Sequence, residues 1–370
     1  MKFSCESTIL AKGVNIVKKA IASSPNAPIF SGIHLILQGS SLEMIAMDLN
    51  FFMSNVIEVQ GEADGDILIP AKSFSELLAK FDSEVLNIEK NDVETELIIT
   101  SSKGKYSIPL MDKNDFPPFP EFKGEKALTF TEEEIGALIR KTIYACSTDE
   151  SRPLFTGILL EKKGTNITFV GTNTHRLAIK TATVNSADGS EYSMIIPSRL
   201  LREISANLDK EIPENIELSL QNKQIQVQMG KIKIISSLIE GSFPDYRRVI
   251  PPTFAIETVF SAKAMEKAVQ RVSLFSKDDY NIIRLSISEN KITLTSGISD
   301  LGQGKEEVDC QTKGEGVNIA FNSKYIMDIL KYAGTEEVVM QMNNSLSPAC
   351  VKPVSEENYI YIVTPVRVIF

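Results

Sequence analysis

Ile69-Pro70-Ala71-Lys72-Ser73-Phe74-Ser75-Glu76-Leu77-Leu78 decides the reading of this chain, because the same pattern comes back twice. It returns as Ile196-Pro197-Ser198-Arg199-Leu200-Leu201-Arg202-Glu203-Ile204, and again as Phe321-Asn322-Ser323-Lys324-Tyr325-Ile326-Met327-Asp328-Ile329-Leu330. Each is an apolar residue, a helix-starting residue and then a basic amphipathic helix, with steps of 127 and 125 residues from Pro70 to Pro197 to Asn322. Phe3, Phe130 and Phe260 each close a short strand-like run ahead of a helical pattern, at steps of 127 and 130. Ile29-Phe30-Ser31-Gly32-Ile33 matches Leu154-Phe155-Thr156-Gly157-Ile158 at a step of 125. Three markers in one order at one period make the chain three copies of one unit. A unit of this size can bury a core of its own, unlike the short repeats of solenoids. The expected division is 1–124, 125–252 and 253–370, with joints near 122–127 and 250–255 where Pro120, Gly124, Pro251 and Pro252 cluster.

Within each copy the first helix carries an apolar stripe: Leu10, Val14, Val17 and Ile21; then Ile135, Leu138, Ile139 and Ile143; then Met265, Ala268, Val269 and Val272. That is the rhythm of a helix with one face on a core. The helical stretches are 9–23, 71–81, 131–147, 198–208, 261–276 and 322–332. Between them lie short alternating β-branched runs, such as residues 33–37, 97–100, 224–229 and 359–363, parted by Gly, Asn and Ser turns that favour antiparallel pairing. The fold class is α+β: three tandem copies of a two-helix plus antiparallel-sheet domain.

Composition excludes several functions. The six helical stretches sum to +7 while the whole chain is −9, so everything else carries −16. A solvated face is the ordinary meaning of a helix lysine. Helices kept basic in an acidic chain also suit an anionic partner. Met1-Lys2-Phe3-Ser4-Cys5-Glu6 is no secretory leader, and no apolar run approaches a membrane span. Cys5, Cys146, Cys310 and Cys350 have no metal-binding or redox spacing and read as buried thiols of a reducing, cytoplasmic compartment. No phosphate loop or dinucleotide fingerprint appears, and there are two histidines. His34 lies mid-strand and reads as structural. His175 sits in a polar turn, where a pairing with Cys146 or Ser151 has no support in spacing. No cofactor, metal or catalytic residue is expected.

Three segments carry a resemblance: residues 170–177 (Val-Gly-Thr-Asn-Thr-His-Arg-Leu), residues 241–251 (Gly-Ser-Phe-Pro-Asp-Tyr-Arg-Arg-Val-Ile-Pro) and the tail 361–368. With the Met1-Lys2-Phe3 start and Asp115-Phe116-Pro117, the chain resembles, over its full length, the beta-subunit family of bacterial DNA polymerase III, the sliding clamps. The resemblance implies a head-to-tail homodimer closed into a ring around duplex DNA, held by topology and without sequence preference. It implies DNA-facing Lys12, Lys18, Lys19, Lys72, Arg152, Arg199, Arg202, Lys263, Lys267 and Lys324. It also implies a groove for short peptide motifs of the replicative polymerase, the clamp loader and repair proteins. Phe155, Thr172, Thr174, His175, Arg176, Leu177, Pro244, Arg248, Val249, Pro348, Val363, Thr364, Pro365, Val366 and Arg367 would line it. A tight turn is the plainer reading of 172–177. The dimer contact would join the edge strand with Lys103, Lys105, Tyr106 and Ile108 to Leu274 and Phe275, the lysines pairing with acids such as Glu306 and Glu307. The alternative is that Tyr106 and Ile108 face their own core. Departures from the family pattern are Asn173-Thr174 for Asp-Gly, Phe155 for an aliphatic residue, and Val366 and Val368 for larger ones. The tail Ile369-Phe370 is slightly long. Ser24 and Pro153-Leu154 stand where an arginine and tyrosines are common. A triplicated peptide-binding scaffold that does not encircle DNA is the rival function.

Overall fold

The computed structural model describes residues 1–22, 27–91, 95–184, 190–208, 215–276, 281–298 and 302–368. Ser24 and the tail Ile369-Phe370 lie outside them. Among the described residues six α-helices stand where the periodicity puts them: α1 Ser7–Val17, α2 Ala71–Leu78, α3 Glu132–Arg140, α4 Ser198–Ala206, α5 Ala262–Val272 and α6 Ser323–Ala333. The first helix of each copy ends in a 3₁₀ turn, at Lys18–Ala20, Ile143–Ala145 and Ser273–Phe275. Tightening to three residues per turn rotates the apolar face. Ile21 and Ile143, expected on the buried stripe, are therefore only half-buried, while Leu10, Val14, Val17, Ile135, Leu138 and Ile139 are fully so. Ser261 Oγ and Asn322 Oδ1 cap α5 and α6 by accepting from the Ala264 and Lys324 amides, and Gly334 ends α6 at φ 68°, a left-handed cap that glycine adopts without strain.

The chain forms two compact units. The first, residues 1–132 with 206–238, holds α1, α2 and two antiparallel sheets. One has five strands in the order Gln60–Ala63, Lys2–Glu6, Val85–Asn91, Glu96–Thr100 and Lys105–Pro109. The other has eight, and in it Ile232–Ser237 of the middle copy pairs with Phe51–Glu58 of the first, Ser236 opposite Phe51. His34 is structural here: Nε2 lies 3.0 Å from Oδ2 of Asp66, whose Oδ1 accepts from Lys113, and Phe116 packs edge-on at 5.4 Å.

The second unit, residues 133–205 with 239–370, carries a continuous run of twelve strands. Its join between copies is again a strand pair: Arg176–Thr183 runs against Tyr359–Val363, Arg176 opposite Val363. Strand alternation then gives the sheet two apolar faces. Tyr359, Tyr361 and Val363 turn towards α5 and α6, packing with Met265, Val269, Val272, Ile326 and Ile329. Ile360 and Ile362 turn the other way, to Leu159, Val170, Leu177, Ile179, Phe243 and Tyr246. Each large aliphatic side chain so buried contributes roughly 1.5–3 kcal/mol.

A charge cluster fastens the same join. Lys141 and Lys180 both donate to Glu356, and Asn358 Oδ1 takes a second bond from Lys180 at 2.6 Å. Burial alone would raise the Glu356 carboxyl, but bonds and charges from the two lysines hold it below the ordinary glutamate value. A depressed carboxyl contributes stability above its unfolded pKa and loses it as pH falls through the folded one. Glu356→Gln leaves two largely buried ammonium groups without their counter-charge. It is expected to cost about 3 kcal/mol at neutral pH, with the gap from wild type closing in acid; equal melting temperatures at pH 7 would refute the role.

Candidate functional site

The turn between strands Asn166–Thr172 and Arg176–Thr183 organises the site. Thr172 Oγ1 donates to the Arg176 carbonyl at 2.6 Å and accepts from the Thr174 amide at 3.1 Å. Asn173 Oδ1 accepts from the amides of His175 and Arg176, both at 3.1 Å. These bonds hold Thr174 at φ 78°, a left-handed conformation costly for a β-branched residue. Thr364 clamps the turn from outside, its amide donating to the His175 carbonyl at 2.9 Å.

Alternate residues of the turn serve two cavities. Thr172 and Thr174 line a mainly apolar groove of about 260 Å³, which also gathers Phe155, Arg176, Leu177, Pro244, Val249, Pro348 and Thr364 from the expected set. Phe243, Asp245, Tyr246 and Ile362 line it too. Phe243 meets Phe155 edge-to-face at 5.9 Å, and the Tyr246 hydroxyl donates to Glu161 Oε2 at 2.7 Å. Both lie in the quoted segment 241–251, as apolar residues flanking Pro244 and Asp245. Ile362 follows from strand alternation, which turns Val363 to the opposite face, where it is fully buried. Arg248 does not line the groove: its guanidinium is turned to Asp245 Oδ2 at 3.2 Å. Pro365, Val366 and Arg367 also lie off its walls, the Val366 amide donating to the Ala320 carbonyl at 2.8 Å.

Arg176 is no rim donor. Its side chain is 10% exposed, its guanidinium donates to Asp328 and to the Tyr144 carbonyl, and it stacks over Tyr325 at 4.7 Å. Only the flank of this residue is offered to the groove. His175 faces the second cavity, with Asn173, Cys146, Arg152 and Arg202. There Cys146 is no nucleophile: burial pushes its thiol up to about 12, and a thiol, unlike a thiolate, attacks poorly. All four cysteines are free and buried.

The family models described as DNA polymerase III beta subunit N-terminal, central and C-terminal domain match residues 1–120, 129–245 and 247–367 in turn. The chain belongs to the DNA polymerase III beta subunit family. Two relatives, each named "Beta sliding clamp", are similar from end to end. The Synechocystis protein is 27% identical, with all of both chains covered, and the Synechococcus elongatus protein 28%, with 99% of each covered. The crystal structure of the Bacillus subtilis DNA polymerase sliding clamp superposes with a TM-score of 0.93 at 26% identity, covering all of both chains.

For a beta-subunit family member, the basic helix residues and the sheet edge are the remaining features. Lys12, Lys19, Lys72, Arg152, Arg202, Lys263, Lys267 and Lys324 are exposed, and Lys18 and Arg199 are half-buried. Lys18 donates to Ser75 Oγ at 2.7 Å. Among the described residues, no carboxylate lies within ion-pair range of Lys12, Lys72, Arg202, Lys263, Lys267 or Lys324. Lys105–Pro109 is the last strand of the five-stranded sheet. Both readings of it hold in part: Ile108 is buried against its own core opposite Leu97, while Tyr106 is 41% exposed and packs edge-on against Phe81 at 5.5 Å. Lys103 and Lys105 are exposed, Leu274 is 54% exposed, and Phe275 is half-buried. Glu306 and Glu307 are not spare acids for the edge lysines, being engaged by Arg271 and, at 2.8 Å, by Lys291. Among the described residues no helix is long and apolar enough to cross a membrane.

Proposed function

We propose that this chain is a DNA sliding clamp: two copies close head-to-tail around duplex DNA and tether the replicative polymerase and other partners that carry short peptide motifs. Its three domains are 1–124, 125–252 and 253–370, and its place of action is the cytoplasm. The observation that carries the reading is the repeated strand register. Phe51 pairs with Ser236, and Arg176 pairs with Val363, so the first partner advances by 125 residues and the second by 127. One further step leads to strand Lys305–Lys313 of the third copy, for which no third pairing of this series is found among the described residues. Ser236 less 127 is Pro109, the end of strand Lys105–Pro109, whose outer side is the open edge of the five-stranded sheet. A second chain offers that edge. Leu274 and Tyr106 are the apolar surface such a joint would cover.

Sequence-blind attraction between phosphates and the basic helix residues suits a ring that must slide, because retention comes from closure and tight contacts would only slow it. The groove, with apolar walls from Phe155, Leu177, Phe243 and Val249, suits aliphatic and aromatic anchors of a linear motif. Loaded onto nicked circular DNA, the protein is expected to co-elute with the circle and to be released when one cut linearises it. Equal retention on circular and linear DNA would instead favour the scaffold reading.

A further inference from the structure

Phe243, Pro244, Asp245, Tyr246 and Val249 bring one wall of the groove from a single segment, residues 241–250, that belongs to no sheet. Its regular part is the 3₁₀ turn Tyr246–Val249, capped by Asp245, whose Oδ1 accepts from the Arg247 amide at 3.3 Å. Among the described residues its backbone bonds close on the segment itself. Arg248 donates to the Asp245 carbonyl at 3.4 Å and Ile250 to the Arg247 carbonyl at 3.2 Å. Apolar packing presses the wall onto the sheet, with Phe243 edge-to-face on Phe155 and the Tyr246 ring in the cluster of Leu159, Leu177 and Ile362. Such packing is non-directional, so it keeps a ring buried without fixing its angle.

The directional hold comes from one carboxylate outside the groove lining. Glu161 Oε2 accepts from the Tyr246 hydroxyl at 2.7 Å and from Arg247 Nη2 at 2.6 Å, and the Arg247 guanidinium lies over the Tyr246 ring at 4.4 Å. Among the described residues no other polar bond ties 241–250 to the rest of the chain. Glu161 stands in strand Gly157–Lys163, two residues beyond Leu159, so alternation puts it on the same face of the sheet. Its side chain is 16% exposed, and bonds to a carboxylate are roughly twice as strong as those between neutral groups. Burial, and then the bond to Glu161, raise the Tyr246 phenol above its ordinary value, which keeps it a donor at neutral pH.

We propose that Glu161 is a positioning residue of the groove: without touching a peptide, it locks Tyr246 and so fixes the wall that carries Phe243 and Val249 before the peptide arrives. This role rests on the groove being the peptide site. A wall already in place spares the complex the ordering that a loose one would require.

Fluorescence anisotropy on the full chain tests this, with a short labelled peptide carrying leucine and phenylalanine anchors, at a temperature well below the melting of every variant. Glu161→Ala and Tyr246→Phe are each expected to weaken binding about tenfold or more. The double variant should be within about twofold of Glu161→Ala, because both changes remove the same bond. Glu161→Gln keeps an acceptor for the hydroxyl and should bind within about threefold of wild type. A part in stability alone would lower the melting temperature and leave these affinities equal, which overturns the proposal. So would losses that multiply in the double variant, or a glutamine variant as weak as the alanine one. Each of those results leaves the groove reading standing, since wild type still binds. Wild type that captures no such peptide overturns both.

Discussion

Replacing Ser107 by proline is expected to convert the two-chain assembly into single chains, read as a halved solution mass by light scattering at micromolar concentration. The reason lies in which way each backbone group of the edge strand points. Strand Lys105–Pro109 pairs with Glu96–Thr100, and the Ser101 amide donates to the Gly104 carbonyl at 2.8 Å, with Leu110 donating to Thr95 at 2.9 Å. Hydrogen-bonded and non-bonded pairs alternate along an antiparallel ladder. Tyr106 and Ile108 therefore spend their amides and carbonyls within the chain, while Lys105 and Ser107 direct theirs to the open edge. Proline at 107 removes an outward donor and no inward one. Folding of the single chain should change little. Each interface loses a bond and leaves an acceptor unpaired, about 1–3 kcal/mol. A two-chain ring has two such interfaces, so separation into single chains is favoured by roughly 2–6 kcal/mol, and tenfold in affinity is about 1.4 kcal/mol. Ser107→Ala keeps the amide and should keep the dimer. An unchanged mass for the proline variant would show that the chains do not meet through this edge.

The division into three copies was open to reading because helix patterns and marker residues repeat at a step that exceeds any one element. What could not be read was how strands of different copies meet. The pairs Phe51–Ser236 and Arg176–Val363 span very long stretches of chain, and neither residue carries a local sign of its partner. The site divides in the same way. Thr172, Leu177, Pro244 and Pro348 could be placed in the groove by segment. Which member of a strand faces it is a question of alternation, and Ile362, not Val363, takes that face. His175 and Arg176 illustrate the limit of residue type as a guide. Both are expected in the groove lining from the sequence. The Asn173-centred turn sends His175 to the neighbouring cavity, and Asp328, from a helix more than 150 residues on, draws Arg176 inward.

That inward position makes Arg176 the stronger of two expected losses in the groove, and pairing it with Val249 separates support from contact. Arg176→Ala should abolish peptide capture and also lower the melting temperature. It strands Asp328 and the Tyr144 carbonyl and removes the plane that stacks on Tyr325, a loss of about 3–5 kcal/mol. Arg176→Lys should not restore it, because a single ammonium cannot bond both partners and stack at once. Val249 is 49% exposed in the groove wall, so Val249→Glu costs the fold little. It sets a charge where an apolar anchor would lose its water, and binding of a peptide with leucine and phenylalanine anchors should fall at least thirtyfold, about 2 kcal/mol. Fluorescence anisotropy with a labelled peptide, run beside thermal melts, reads both effects. Arg176→Ala that binds normally would leave its buried pairings without a part in the groove. Val249→Glu that binds normally would place the peptide site elsewhere on the chain, since no variant that spares the fold alters this wall more directly.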